Sequence, residues 1–290
     1  MSHALTVDVE DYFQVAAFFD VIPAASWDHW PSRVRDTTHR VLDLIDEADR
    51  RATFFVLGWV AERHPELVRE IHRRGHEVAC HGYSHQYVYG QAPTVFREET
   101  CRSKHLLEQL TGEPVTGYRA ASYSITPESS WALEILVEAG FRYDSSIFPI
   151  RHDHYGFPGA PLVPHWAETA SGSLLEFPLT TAEFGPLSLP VAGGGYFRLY
   201  PYSFTRSMIR RHQRTRSDPF IFYLHPWEID PDQPRIPNAR LRSRLRHYLN
   251  LKHCEARLTR LLNDFEFQTM GELSRTYAAR PELERYRYGD

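Results

Sequence analysis

Short apolar segments alternate with amphipathic segments at least six times along this chain of 290 residues. The apolar segments, such as Ala4 to Val7 and Thr53 to Leu57, have the length and composition of buried strands. Gly193 to Tyr200 is predicted to form a turn over its three glycines and a strand over its last five residues. The amphipathic segments, such as Pro93 to Leu110 before Gly112, combine helical spacing with a glycine stop. This alternation predicts an α/β fold whose parallel sheet is closed or nearly closed into a barrel.

The composition argues against a nucleic-acid partner. The chain is 42% hydrophobic and has a formal net charge of −4, so it has the composition of a globular protein and no overall basic field. Its one basic cluster, Arg235 to Arg246, interleaves arginines with leucines. That pattern is typical of the solvated face of a helix, and the tail from Ala239 to Leu262 is predicted to be one long amphipathic helix.

The sequence carries no visible export signal or membrane anchor. The three cysteines form no paired framework, and no apolar run approaches the roughly 18 residues of a spanning helix. The start of the chain lacks a basic region followed by an apolar stretch. We therefore expect a reduced, cytoplasmic protein without an integral membrane segment, and we leave a homo-oligomer open.

Polar side chains with catalytic chemistry follow the predicted strands at their carboxyl ends. They are Asp8, His81, Arg119, Asp144 and His225. In an α/β barrel these ends converge on one face, where catalytic groups sit. The sequence therefore predicts one site built from five segments that are distant in the chain, covered by a long loop from Pro149 to Ser173.

Two histidine pairs share a spacing of four residues. His81 and His85 follow a strand, and they can direct their ring nitrogens toward one divalent metal ion. His72 and His76 have the same spacing, but the first lies inside a predicted helix and the second begins a strand at its opposite end. Placement therefore favours the first pair as metal ligands.

The ordered motifs resemble those of a known enzyme family. They are Thr6-Val7-Asp8, then His81-x-x-x-His85, then Arg119-Ala120-Ala121-Ser122-Tyr123, then Leu224-His225-Pro226. Together they resemble the NodB-homology polysaccharide deacetylases, carbohydrate esterase family 4, over residues 4 to 226. The segments Asp8 to Phe13, Tyr143 to Ser146 and Phe222 to Trp227 are most similar to the subgroup encoded beside exosortase (PEP-CTERM) and exopolysaccharide loci.

The resemblance implies a fold and a domain organisation. It implies a distorted (β/α) barrel of about seven strands, the NodB-homology fold, over residues 1–227. Residues 228–290 would form a helical C-terminal extension packed on the barrel.

The resemblance also implies a function. The implied function is that of a metal-dependent hydrolase that removes N-acetyl groups from N-acetylhexosamine units of a polysaccharide or its precursor, in exopolysaccharide biosynthesis. Asp8 would be the general base, Arg119 would orient it, and His225 would be the general acid. Backbone N–H groups near Ser122 and Tyr123 would stabilise the oxyanion. The alternatives are an allantoinase-like hydrolase of small amides and an inactive carbohydrate-binding scaffold.

The carboxylate that completes the metal site is open at this stage. Strand alternation puts Asp8 and Glu10 on the same face, which favours Glu10 beside His81 and His85. A strand that ends after Val9 would favour Asp11 instead. Zinc is the expected metal, with cobalt, nickel or another divalent ion as alternatives.

Two motifs depart from the family pattern. Ala121 stands where the family has proline, which loosens that loop but keeps its backbone donors. The family's fourth motif, whose aspartate orients the acid histidine, has no clear match in this chain. Asp144 and Glu176 are the two candidates for that role.

Overall fold

The computed structural model describes residues 3–150, 155–184 and 187–288 and arranges them around a long, mostly parallel sheet. The strands within these residues are β1 (His3–Val9), β2 (Thr53–Val56), β3 (Glu77–Cys80), β4 (Gly117–Tyr118), β5 (Tyr143–Asp144), β6 (His165–Thr169), β7 (Gly172–Glu176), β8 (Thr181–Phe184), β9 (Leu187–Pro190), β10 (Ile221–Leu224), β11 (Phe267–Gln268) and β12 (Arg285–Arg287).

The helices lie between these strands. They are α1 (Val34–Glu47), α2 (Gly58–Arg63), α3 (Pro65–Arg73), α4 (Pro93–Thr111), α5 (Trp131–Glu138), α6 (Gly194–Leu199), α7 (Tyr202–Thr215), α8 (Leu241–Tyr248), α9 (Leu251–Asp264) and α10 (Met270–Ala278). Short 3₁₀ turns over Ala121–Tyr123 and Pro226–Ile229 follow strands β4 and β10 and shape the candidate site.

The main sheet has the strand order β10-β1-β2-β3-β4-β5-β7-β6-β12, with β11 paired to β1. Its pairs are parallel except for β6 with β7, and β8 and β9 form a separate antiparallel hairpin. The predicted α/β class with a parallel sheet is therefore confirmed. Among the described residues the pairing runs from β10 to β12 without closing into a ring.

The two faces of β1 contact different groups of apolar side chains. Leu5, Val7 and Val9 belong to the large cluster that packs under the helices. Ala4 belongs to a smaller cluster with side chains of the neighbouring strands, including Phe55 and Ala79. Because side chains alternate along a strand, Thr6 and Asp8 point to the same side as Ala4. The polar groups of the site thus lie above an apolar floor.

Three local predictions are wrong. The expected loop from Pro149 to Ser173 contains strand β6, and its residues 151–154 lie outside the described part of the chain. Tyr196 to Tyr200, predicted as a strand, belongs mostly to helix α6. The N–H of Phe197 donates to Gly193 O in the first turn of this helix. The long tail helix is two helices, because Asn250 has a left-handed φ of 53° between α8 and α9.

No helix in the described ranges is long and apolar enough to cross a lipid bilayer.

Buried histidines should make the fold sensitive to acid. His165 is fully buried, with Nδ1 against Val163 O at 2.8 Å and Nε2 against the Tyr288 hydroxyl at 2.7 Å. Burial lowers the pKa of His165 from 6.5 to about 4. The folded state therefore disfavours the protonated ring, and stability should fall as the pH drops from 6.5 toward 4.

We expect His165 alone to account for up to about 3 kcal/mol of the loss in the free energy of unfolding over this pH range. Urea unfolding of the wild type and of His165→Gln across the same range measures the effect. The variant should show a shallower dependence on pH, whereas His253→Gln, at an exposed position, should match the wild type. If the free energy of unfolding depended on pH equally in His165→Gln and the wild type, the result would contradict this role of His165.

Candidate active site

The end of strand β1 supplies the carboxylates of the site. All seven residues of the strand are buried, and the chain leaves the sheet after Val9. Asp8 and Glu10 both lie at this end and are both buried. Each carboxylate contacts a different set of partners, so the two groups serve different parts of one site.

Asp8 is held by a buried arginine and a tyrosine. Arg119 Nη1 donates to Asp8 Oδ1 and to Thr6 Oγ1, both at 2.7 Å. The Tyr123 hydroxyl donates to the other oxygen, Asp8 Oδ2, at 3.3 Å. Such charge-assisted bonds restrict the orientation of the carboxylate.

Glu10, His81 and His85 form the one cluster within the described residues whose ligand atoms could hold a metal ion, all lying within 4.8 Å of one another. His81 Nδ1 lies 2.8 Å from Arg119 O, which fixes its ring and directs Nε2 away from that carbonyl. His85 Nε2 lies 2.6 Å from Glu10 Oε2. Glu10 Oε2 nevertheless has no hydrogen-bond partner among the described residues.

These contacts fit a cation. A buried carboxylate oxygen and an imidazole nitrogen this close together suit a shared cation, which would compensate the buried negative charge. Burial lowers the pKa of His81 to about 4, so this ring is neutral at neutral pH, as a metal ligand must be. Burial alone would raise the pKa of Glu10, but the charges of His85 and His225 outweigh it and lower the pKa to about 2.

Asp11 has a different task. Its Oδ2 accepts hydrogen bonds from the backbone N–H groups of Arg33 at 2.8 Å and Val34 at 3.1 Å, and from Ser32 Oγ at 2.7 Å. Its Oδ1 accepts from Tyr12 N at 3.0 Å. Asp11 therefore caps the first turn of helix α1, where unpaired N–H groups need an acceptor. Of the two candidate carboxylates, the structure brings Glu10 to the histidines.

His225 is oriented by a residue that the sequence reasoning missed. His225 Nδ1 lies 2.7 Å from Glu228 Oε1, and its Nε2 lies 3.5 Å from Glu10 Oε1. The 3₁₀ turn over Pro226–Ile229 places side chains three residues apart on the same side, which allows this contact. A signal was present in the sequence, because Glu228 follows His225 at the spacing of a capping box with Pro226 at the first position.

Arg198 and Gly194 explain how Glu228 is held. Arg198 Nε donates to Glu228 Oε2 at 2.6 Å, and both side chains are buried. A Cβ atom at Gly194 would lie 2.0 Å from Glu228 Oε1, so only glycine allows the carboxylate to approach helix α6 this closely. Burial disfavours the charged ring of His225, but the charges of Glu10 and Glu228 outweigh that effect and raise its pKa to about 9.

Asp144 and Glu176, the candidates from sequence for orienting His225, contact other groups. Asp144 Oδ1 accepts from Ser146 Oγ at 2.6 Å, and Glu176 Oε1 accepts from Ile147 N at 3.0 Å. The two residues are partners on neighbouring strands, and burial raises the pKa of both. They brace the segment after β5, and the prediction that one of them orients His225 is wrong.

The turn after β4 carries Ser122 and Tyr123. Both residues adopt a left-handed φ of 53°. The N–H of Tyr123 donates to Ala120 O at 3.1 Å within the turn, while its hydroxyl faces Asp8. The predicted oxyanion role of Ser122 and Tyr123 stays a prediction.

Aromatic rings lead from the site toward the surface. Phe19 contacts the His85 ring edge-on at 6.0 Å between centroids and the Tyr87 ring at 5.2 Å. Tyr87 in turn stacks on Tyr89 at 5.1 Å, and Tyr89 is partly exposed. Flat aromatic faces of this kind suit the apolar faces of sugar rings.

Two family models match the chain. Residues 13–143 match the model described as polysaccharide deacetylase, and residues 145–275 match a domain of unknown function (DUF3473). Curated relatives bear related names. A peptidoglycan deacetylase of Helicobacter pylori is 33% identical over 108 residues, which are 37% of this chain and 36% of that protein. These matches support the predicted resemblance to the polysaccharide deacetylase family.

Further relatives agree. A chitooligosaccharide deacetylase of a Bradyrhizobium species is 28% identical over 99 residues, covering 34% of this chain and 43% of that protein. The chain thus spans less than half the length of these relatives. Their names support the prediction of an amide hydrolase.

Solved structures show the same fold. A structure from Mycobacterium smegmatis, assigned as a polysaccharide deacetylase, has a TM-score of 0.63 at 21% identity and covers 98% of this chain and 93% of that one. An allantoinase, Puue, has a TM-score of 0.62 at 16% identity and covers 97% and 91%. The scaffold is therefore shared by both kinds of protein.

Substitution of the two neighbouring carboxylates should separate metal binding from helix capping. We expect Glu10→Gln to lower the affinity for Zn²⁺ by at least about tenfold, because a charged ligand is lost beside two imidazoles. Asp11→Asn should keep the affinity and instead lower the free energy of unfolding by about 1 kcal/mol, because helix α1 loses a charged cap.

Zinc titration and urea unfolding of both variants measure the two effects. The variants are mutual controls, since each removes one buried negative charge from adjacent positions. Loss of zinc affinity in Asp11→Asn with retention in Glu10→Gln would reverse the assignment.

Proposed function

We propose that this protein is a metal-dependent hydrolase that removes N-acetyl groups from N-acetylhexosamine units of a saccharide. The observation that carries the proposal is the convergence of an oriented carboxylate, a candidate metal triad and a carboxylate-paired histidine on one end of the sheet. Deacetylation needs these three functions: a base for water, a Lewis acid for the carbonyl and an acid for the leaving amine.

The residues divide the reaction between them. Asp8, oriented by Arg119 and Tyr123, accepts a proton from the water molecule that attacks the acetyl carbonyl. As the C–N bond breaks, protonated His225 donates a proton to the departing nitrogen, which leaves as a free amine with acetate as the second product. Glu228 accepts from Nδ1 of His225 and so leaves Nε2 as the proton donor.

Glu10, His81 and His85 would hold the metal, which we propose to be zinc. Two imidazoles and one carboxylate form a donor set typical of catalytic zinc, and an ion with three protein ligands would keep coordination positions for substrate and water. When bound, the ion supplies Lewis acidity that polarises the acetyl group and activates water.

A carbohydrate substrate is supported by the aromatic track of Phe19, Tyr87 and Tyr89. These rings lie beside His85 and reach the surface, as a groove for a chain of sugars would. A small cyclic amide would need no such extension, so the track favours a saccharide over an allantoinase-like substrate. We place the reaction in exopolysaccharide biosynthesis on the resemblance of the motifs alone, and the cytoplasmic location likewise stays a prediction.

We further propose that residues 1–227 form the deacetylase domain and residues 228–290 an extension packed on it. Strands β1 to β10 carry the base, the candidate metal ligands and His225. The later segment contributes Glu228, helices α8 to α10 and two strands of the same sheet, β11 beside β1 and β12 beside β6. The extension is therefore continuous with the sheet.

Acetate release from N-acetylated oligosaccharides tests the function directly. We expect zinc-loaded wild type to release acetate, and Asp8→Asn and His81→Ala to lose roughly a hundredfold or more of the rate. His72→Ala is the matched control, because His72 belongs to a histidine pair of the same spacing that lies on helix α3. Equal rates in all four proteins would refute the mechanism.

Glu228→Gln tests the positioning of His225. We expect kcat to fall by about a hundredfold with little change in KM, because the imidazole loses the acceptor that fixes its orientation. Asp232→Asn removes one exposed negative charge four residues later and should leave both constants unchanged. A change confined to KM, or an equal effect of both substitutions, would exclude this role.

A further inference from the structure

Helix α8 exposes its apolar side chains instead of burying them. Leu241 is 69% exposed and Leu245 is 64% exposed, although they lie one turn apart on the same face. Leu249, just after the helix, and Leu199, at the end of α6, are also exposed. In most surface helices the apolar stripe faces the core, so this face has the composition of a contact surface.

The opposite face anchors the helix beside the active site. His247, the one buried residue of α8, stacks on Trp227 at 4.2 Å between centroids, and Trp227 stacks on His225 at 5.1 Å. Arg198 donates to the backbone oxygens of His247 at 2.9 Å and Leu249 at 2.7 Å while it also holds Glu228. The position of the exposed leucines is thus fixed relative to the site.

The charge around the leucines is strongly positive. Residues 235 to 250 contain five arginines and no acidic residue, in a chain whose formal net charge is −4. Helical geometry places Arg242 on one side of the leucine pair and Arg244 on the other. Both arginines are exposed, and Arg240 at the start of the helix pairs with the exposed Asp20 at 2.8 Å.

We propose that helix α8 is an interfacial helix that docks the protein on an anionic phospholipid bilayer. The leucines would enter the boundary between headgroups and acyl chains. The flanking arginines would contact lipid phosphates with their guanidinium groups, while their apolar stems lie along the leucines. A protein partner would have to supply matching acidic side chains around an apolar pocket, whereas an anionic bilayer presents phosphates beside acyl chains over its whole surface. The inference is independent of the deacetylase proposal, because docking needs no turnover.

Vesicle co-sedimentation of the full-length chain tests the proposal. The wild type should bind vesicles that contain phosphatidylglycerol, bind phosphatidylcholine vesicles at least about tenfold more weakly, and lose affinity as salt is added. Leu241→Ser with Leu245→Ser should weaken binding to the anionic vesicles by about tenfold or more. Arg242→Gln with Arg244→Gln should weaken it similarly and reduce its dependence on salt.

Two matched double variants control for general effects. Val95→Ser with Val163→Ser removes exposed apolar side chains elsewhere, and Arg210→Gln with Arg214→Gln removes two exposed charges from α7. Both should bind like the wild type. Circular dichroism and acetate release from a soluble oligosaccharide report on folding and on the site separately from docking.

Three results would overturn the proposal. The first is a wild type that binds no anionic vesicle at low salt, and the second is equal weakening by the α8 variants and the controls. The third is a self-associating wild type that ignores vesicles and becomes monomeric on Leu241→Ser with Leu245→Ser. That result would assign the face to a second copy of the chain.

Discussion

The candidate site depends on a guanidinium that is buried completely. Arg119 has no exposed surface, so every group that it contacts must compensate for the loss of water. It donates to Asp8 and Thr6 on β1 and to the backbone oxygen and hydroxyl of Ser145 after β5. Its Cζ atom lies 4.2 Å from the centre of the Phe55 ring. One side chain therefore connects the ends of strands that are far apart in sequence and restricts the orientation of the candidate base, Asp8.

Placement at strand ends was the part of the site that sequence could predict. His81 and His85 follow β3 and meet Glu10, whereas His72 lies on helix α3 and His76 lies at the other end of β3 near Asp46. Spacing alone could not separate the two pairs. The separation came from the alternation of strands and helices, which also predicted the α/β class.

Other features depended on contacts that no local pattern contains. Gly193 to Gly195 suggested a turn before a strand, yet the segment begins helix α6, and the Glu228 carboxylate lies against Gly194 from a distant part of the chain. The choice between Glu10 and Asp11 likewise depended on helix α1, whose first N–H groups engage Asp11. Strand β6 was missed because its pairing with β7 takes place across a tight turn within a segment rich in loop-forming residues.

Arg198 connects the part of the chain after residue 227 to the candidate general acid, His225. Its Nε donates to Glu228, and its Nη1 donates to backbone oxygens at the carboxyl end of helix α8. A shortened fragment that stops at residue 227 would keep His225 but discard both partners of this arginine. Attempts to isolate a minimal catalytic piece should therefore keep the chain through α10, which includes β11 beside β1, and should not end at the last motif.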